Sequence, residues 1–296
     1  MALYTVSGTL PVTPVFDFSK SLEFMSNFAP MYDEQEVTET ELTKAMMING
    51  RCIAFRVQDA GSVEQPMVSC TLFSEEPLDE ISRRKVIERI AFFLSLQDDL
   101  RPFYAIAEQD EDFAPVIQRW YGLRHVKFLT LCEIACWSVL VQHRAMPLAR
   151  TMKRALVERY GGSITVEGRT YWAFPELERL LSVSEEEIVV LIKNERSTHY
   201  LHSVIQALSQ LDEEFLCTAP YDEAAAALRS IKGIGPWSAA FILLRGLGRM
   251  ERLLSDMRPF QDALKKLYRS GITMQQLEQR YGLWFGYWGF YLRTAA

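Results

Sequence analysis

The 296-residue chain is poor in several residue types, and each shortage excludes something. It holds five cysteines, Cys52, Cys70, Cys132, Cys136 and Cys217. They are scattered and odd in number, which argues against a disulfide framework. Cys132 and Cys136 stand one helical turn apart with no third or fourth ligand nearby. Buried helix residues are expected there, not a metal. The four histidines are His125, His143, His199 and His202. The last two form HxxH without an acid at useful spacing, so no zinc site is expected. No apolar run approaches the roughly 20 residues that cross a bilayer. The stretch MALYTVSGTLPVTPVF has no basic segment ahead of an apolar core, unlike a secretory signal. These absences predict a cytoplasmic protein with no membrane partner. Positive charge is also short: 32 Lys and Arg against 38 Asp and Glu leave a net −6. That balance argues against a coat of non-specific nucleic-acid contacts.

What is present suffices for a folded core. Hydrophobic residues make up 49% of the chain and aromatics 12%, which excludes global disorder. YTVSGTLPV, RCIAFRVQ and PMVSCTLFS read as strands. Helical patterns appear near Ser19–Phe28, near Thr40–Met47 and, most strongly, at Leu78–Leu96. The first part is therefore an α+β unit with a small antiparallel sheet, over 1–105. Beyond it helical periodicity recurs to the C-terminus, over 106–296. The exception is GGSITVEGRTYWAF (161–174), a short hairpin or loop.

Residues 231–246 read IKGIGPWSAAFILLRG. DEAAAALRSI before them forms a helix with Asp222 and Glu223 favourable in its first turn. Gly233 suits a left-handed stop and Pro236 the first position of the next helix. That second helix is apolar nearly all round, so it is buried. The turn presents backbone amides at a helix N-terminus, a place where phosphate binds without side-chain charge. Pro236 has no N–H, so the donors are Gly233, Gly235, Trp237 and Ser238. A lone GxG is equally compatible with a plain turn. Around it the chain is locally basic, with Arg229, Lys232, Arg245, Arg249 and Arg252 against Glu251.

LRSIKGIGPWSAAFILLRGLGR resembles the helix-hairpin-helix of the DNA glycosylase superfamily, and most the 3-methyladenine DNA glycosylase II branch, with the motif at 222–247. PVFDFSKSLEF (14–24), DDLRPFYAIAEQD (98–110), KFLTLCEIACWSVLVQ (127–142) and YWAFPELERLL (171–181) are similar to further segments of that branch, in the same order. The resemblance implies a unit like half of the TATA-binding protein, followed by two helical lobes around a cleft. It implies a monomeric base excision repair enzyme acting on double-stranded DNA with a damaged base, associated with the nucleoid. It implies a monovalent cation, Na or K, on the carbonyls of Arg229, Ile231 and Gly233. No other cofactor is expected, and without a four-cysteine cluster no iron–sulfur centre.

Family enzymes carry one catalytic aspartate shortly after the hairpin, which here points to Asp256. The branch commonly shows two adjacent acids, the second catalytic. This chain has Asp256 followed by Met257, and shortening Arg252–Ser255 by one residue places Asp256 in the catalytic position. Asp262, near Lys265 and Lys266, reads as a solvated helix residue. The Asp256 register separates an enzyme from a non-catalytic damage-binding protein. A carboxylate below C1′ would stabilise an oxocarbenium-like sugar. Phe24, Trp237, Phe241 and Trp284 are the rings implied for the base pocket, where cation–π stacking selects a charged alkylated purine. Trp237 stands where strand-cutting relatives carry a Schiff-base lysine, so no lyase activity is expected. Gly233, Gly235, Ser238, Lys232 and Arg245 are expected at the DNA. VQHRAMP (141–147) resembles the loop that fills the gap left by a flipped base, with Gln142 or His143 as the plug.

Overall fold

A computed structural model describes residues 3–32, 34–253, 258–268 and 271–295. A five-stranded antiparallel sheet dominates the first part: β1 (Tyr4–Pro11), β2 (Gln35–Val37), β3 (Glu41–Ile48), β4 (Arg51–Asp59) and β5 (Met67–Ser74). Its order is β1-β5-β4-β3-β2. The strands read from sequence are β1, β4 and β5. The helix expected at Thr40–Met47 is instead β3, paired with β2 on one side and β4 on the other. Leu42, Ala45 and Met46 fall at helical spacing, which suggested the helix. Residues Leu42 through Met46 are all buried, so the alternation that betrays a half-exposed strand is missing.

The sheet is covered on both faces. Ile53, Phe55 and Val57 of β4 join Val86, Ile90 and Phe93 of the helix Glu80–Phe93 in the main core. From the opposite face, Ala45, Ala54 and Phe73 meet Ile164, Val166 and Tyr171 of a second ribbon. That ribbon is β6 (Gly162–Val166) with β7 (Arg169–Ala173), and it occupies the 161–174 stretch. A segment inserted between helices thus lies against the N-terminal sheet.

Helices make up nearly all the rest. Two short ones, Arg101–Ala107 and Glu213–Thr218, carry too few residues for periodicity to reveal them. The main core runs from the sheet into the helical region, joining Leu42 and Phe55 to Leu140, Leu201 and Leu243. A second core gathers Phe103, Trp120, Phe260, Tyr281 and Trp288. Phe24, on the first helix Phe18–Ser26, packs against both.

An ion cluster crosses the seam between sheet and helices. Lys153, on the helix Met146–Tyr160, places Nζ 2.7 Å from a carboxylate oxygen of Glu133 and 2.7 Å from one of Glu34. Lys44 of β3 lies 3.6 Å from the same Glu34 oxygen. Burial alone would raise the Glu133 carboxyl pKa, but the nearby charges of Lys153 and Lys44 outweigh it and hold it below the usual range. Burial alone would lower Lys153, and Glu133 and Glu34 reverse that in turn.

Candidate functional site

The hairpin forms as the sequence dictates. Its first helix is Tyr221–Arg229, with Asp222 and Glu223 in the first turn and Arg229 in the last. Gly233 takes φ +100°, a region only glycine enters cheaply. A Cβ there would also meet the Tyr200 side chain at 2.7 Å. Gly235 differs: its φ is −86° and a Cβ on it would meet nothing within 4 Å. The conformational need therefore sits at Gly233, while Gly235 faces open space. Ile231 and Ile234 are buried and anchor the turn; Lys232, Gly235, Pro236 and Trp237 are exposed.

The second helix opens at Pro236, and no side chain caps its N-terminus at Gly235. It runs as an α-helix to Phe241 and then widens into a π-helix over Ile242–Gly246. Such widening recurs at functional sites. Ser238 is buried and its hydroxyl lies 3.4 Å from the carbonyl oxygen of Ser138. Gln142 reaches across from the 141–147 loop. Its Nε2 donates to the Gly233 carbonyl at 2.8 Å and to the Ser238 hydroxyl at 3.3 Å. His143, the next residue, is exposed with φ +53°. The Ile231 carbonyl accepts from the Ile234 amide at 3.0 Å. A carbonyl oxygen has two lone pairs, so Ile231 and Gly233 each keep one for a cation, as an oxygen-only donor set requires.

Beside the turn lies a cavity of about 680 Å³. Its walls come from distant parts of the chain: Phe28, Trp137, Gln142, Trp237, Phe241 and Arg293 among them. Trp237 stacks on Phe241 with ring centroids 4.9 Å apart and planes 10° from parallel. Trp237 is 42% exposed, so part of its ring is open to solvent beside the turn. The arrangement offers flat aromatic surface beside a backbone turn that can grip a phosphate.

Several expected residues lie elsewhere. Arg245 is fully buried and cannot reach a phosphate at the surface. Its guanidinium sits 5.0 Å from the Phe24 ring centre and 4.4 Å from that of Phe28. Sequence alone does not distinguish a buried arginine from an exposed one. Arg249 is engaged by Glu251 and by the carbonyls of Leu216 and Ala219. Arg252 pairs with Glu278. Trp284 packs against Phe103 and Tyr287, and Phe24 lies behind Phe28 in a stack at 5.4 Å; neither is among the residues lining the cavity. Asp256 lies outside the described residues. Asp262 is exposed on the helix Arg258–Leu267. Sequence reading missed Phe28, Trp137 and Arg293. A signal existed for Arg293, the one charge in the aromatic final helix FGYWGFYLRT.

No protein-family model matches the chain. A DNA-3-methyladenine glycosylase of Bacillus subtilis (strain 168) is 29% identical over 253 residues, which is 83% of this chain and 82% of that relative. Among solved structures, the 3-methyladenine DNA glycosylase from Archaeoglobus fulgidus superposes with a TM-score of 0.77 at 18% identity, covering 97% of each chain. The Clostridium acetobutylicum 8-oxoguanine glycosylase/lyase, solved with double-stranded DNA, gives 0.70 at 15% identity, covering 100% of this chain and 97% of that one. At such identities the superpositions speak for the fold. With the glycine turn at Gly233 and the uncapped helix after it, the chain has the fold of the helix-hairpin-helix DNA glycosylases and is similar in sequence to a DNA-3-methyladenine glycosylase.

Proposed function

We propose that this protein is a monofunctional DNA glycosylase of base excision repair that extrudes an alkylated purine and hydrolyses its bond to the sugar. The observation that carries the reading is the Trp237–Phe241 stack beside an exposed hairpin turn. The turn holds the DNA backbone through amides at Gly233, Gly235, Trp237 and Ser238, with Lys232 alongside. A monovalent cation on the carbonyls of Arg229, Ile231 and Gly233 would add positive charge for a phosphate there. His143 fills the gap left by the flipped base, with Gln142 holding the loop to the hairpin. The ring of Trp237 supports the extruded base in the cavity.

In the reaction the electrons of the N-glycosidic bond leave with the base. For a cationic purine this cancels the ring charge, so no strong general acid is needed. The carboxylate of Asp256 stabilises the oxocarbenium-like sugar and orients a water; the water oxygen bonds to C1′ and its proton passes to the carboxylate. Trp237 offers no amine for a Schiff base, so the strand stays intact.

The test is to incubate the purified protein with methylated duplex DNA and identify the bases released. Asp256→Asn should reduce release by about 10²-fold or more while duplex binding survives. Borohydride should trap no protein–DNA adduct. Release near the wild-type rate by the variant would remove Asp256 from catalysis, and a robust adduct would overturn the monofunctional reading.

A further inference from the structure

The loop that carries His143 is fastened on both sides of that residue. On one side Gln142 donates to the hairpin, at the Gly233 carbonyl and the Ser238 hydroxyl. On the other side stands Arg144, half-buried, whose guanidinium is spent on neutral acceptors. Its Nη1 donates at 3.3 Å to the carbonyl of Leu140 and at 3.3 Å to that of Gln142. Its Nη2 donates to the hydroxyl of Ser197, a buried residue in the first turn of the helix Glu195–Leu208. The Ser197 amide donates in turn to the Asn194 side chain that caps this helix, so the hydroxyl is held at a fixed place. Tyr200, one turn further on, is the side chain that crowds Gly233. Loop, hairpin and helix thus close a ring of contacts, in which Arg144 links the loop to the helix.

Between the two fastened residues His143 is left exposed, with φ +53°. Left-handed backbone is unfavourable for a residue with a Cβ and persists only where its surroundings impose it. Two neighbours pinned to separate elements impose it here. The chain leaves the hairpin at Gln142, meets the helix at Arg144 and must turn sharply in between. A planar guanidinium holds two carbonyls and a hydroxyl at once, which an ammonium on a flexible stem holds less well. We propose that Arg144 is a positioning residue for base extrusion, fixing the backbone turn at His143 so that the plug stands ready when a nucleotide leaves the stack. The proposal rests on the glycosylase reading above, with His143 as the plug. Arg144 acts through His143 and touches neither base nor sugar. A basic residue beside a plug has a plainer role, a contact to phosphate, and charge alone would serve that. The two roles differ in what a lysine can replace.

The experiment measures single-turnover release of N3-methyladenine from methylated duplex, together with affinity for the same duplex left unmethylated. Wild type is compared with Arg144→Met, Arg144→Lys, Ser197→Ala and His143→Gly. Each change at Arg144 and Ser197 is also made on the His143→Gly background, and thermal melts establish that every variant folds. Arg144→Met should release the base at least about tenfold more slowly, a misplacement equivalent to about 1.4 kcal/mol. Its affinity for unmethylated duplex should stay within about twofold, since the hairpin grip is untouched. Arg144→Lys should recover only part of the rate. Ser197→Ala leaves the guanidinium but removes its anchor on the helix. It should slow release about threefold, and it keeps the test open if the Arg144 variants do not fold. His143→Gly should slow release at least as much as Arg144→Met. On that background none of the other changes should slow it by more than about a further twofold, because the residue they position is gone. Unchanged release by Arg144→Met would overturn the proposal. So would full recovery by lysine with affinity and release falling together in the methionine variant, the mark of a phosphate contact. A loss of about tenfold that persists on the His143→Gly background would make Arg144 merely structural and overturn it too. A His143→Gly variant as fast as wild type would remove the plug and the proposal while the glycosylase reading stands. A wild type inert on methylated duplex would overturn the glycosylase reading, and the proposal with it.

Discussion

Two groups of buried charge, around Lys153 and around Arg245, are built on opposite terms. At the seam Lys153 contacts Glu133 and Glu34, and Lys44 completes the set, so each charge faces its opposite. Among the described residues Arg245 sits over the rings of Phe24, Phe28 and Phe290 without an ion pair, and Arg293 repels it. Lys153 and Arg245 are equally hidden, at 1% and 0% exposure, so burial does not distinguish them; pairing does. A paired cluster joins elements of the fold to one another. An unpaired one makes no such join.

The sharpest way to break this contrast is to cut the seam. Lys153→Met leaves Glu133 buried without its nearest cation and should cost about 3–5 kcal/mol in denaturant unfolding. Acid attacks the same place. The Glu133 pKa is held below its ordinary 4.5, so its contribution is complete above that pH and fades as pH falls through the lowered folded value. Lys153 is raised above its ordinary 10.5, so its share holds below that pH and is lost only as pH climbs through the raised folded value. The gap between wild type and Lys153→Met should therefore narrow as the solution is acidified below about pH 4.5. The smallest effect is expected at the cavity. Arg245→Met removes a charge that has no ion-pair partner among the described residues and keeps an apolar stem against Phe24 and Phe28. Its melting temperature should match wild type or rise by a few degrees. A loss as large as that of Lys153→Met would show that the two groups play the same part.

Reading from sequence succeeded where one local rule governs and faltered where burial or pairing decides. The hairpin was legible because Gly233 and Pro236 have fixed conformational roles, and the observed φ of +100° at Gly233 is the predicted left-handed stop. β3 was not, because a strand buried on both faces loses its alternation. The buried Lys44 within it makes sense only beside Glu34, which no spacing reveals. Arg245 and Arg249 looked like parts of one basic stretch, yet one is enclosed by rings and the other is tied to Glu251 and two carbonyls. The aromatic pair Trp237 and Phe241 was legible, being one helical turn apart. Phe28 and Arg293 join them only through the fold, from near the two ends of the chain.

The two hydrogen bonds of Gln142 have a consequence for how DNA would be engaged. They make the 141–147 loop and the glycine turn one unit before any duplex arrives. Ordering a free backbone costs about 1–2 kcal/mol per residue, and here part of that cost falls on folding rather than on association. The spacing between the phosphate grip and the tip of the loop is then set in advance. On the proposed reading, a duplex seated on the turn would meet His143 already in register with the nucleotide to be displaced, and position along the strand would be measured by the protein before any base moves.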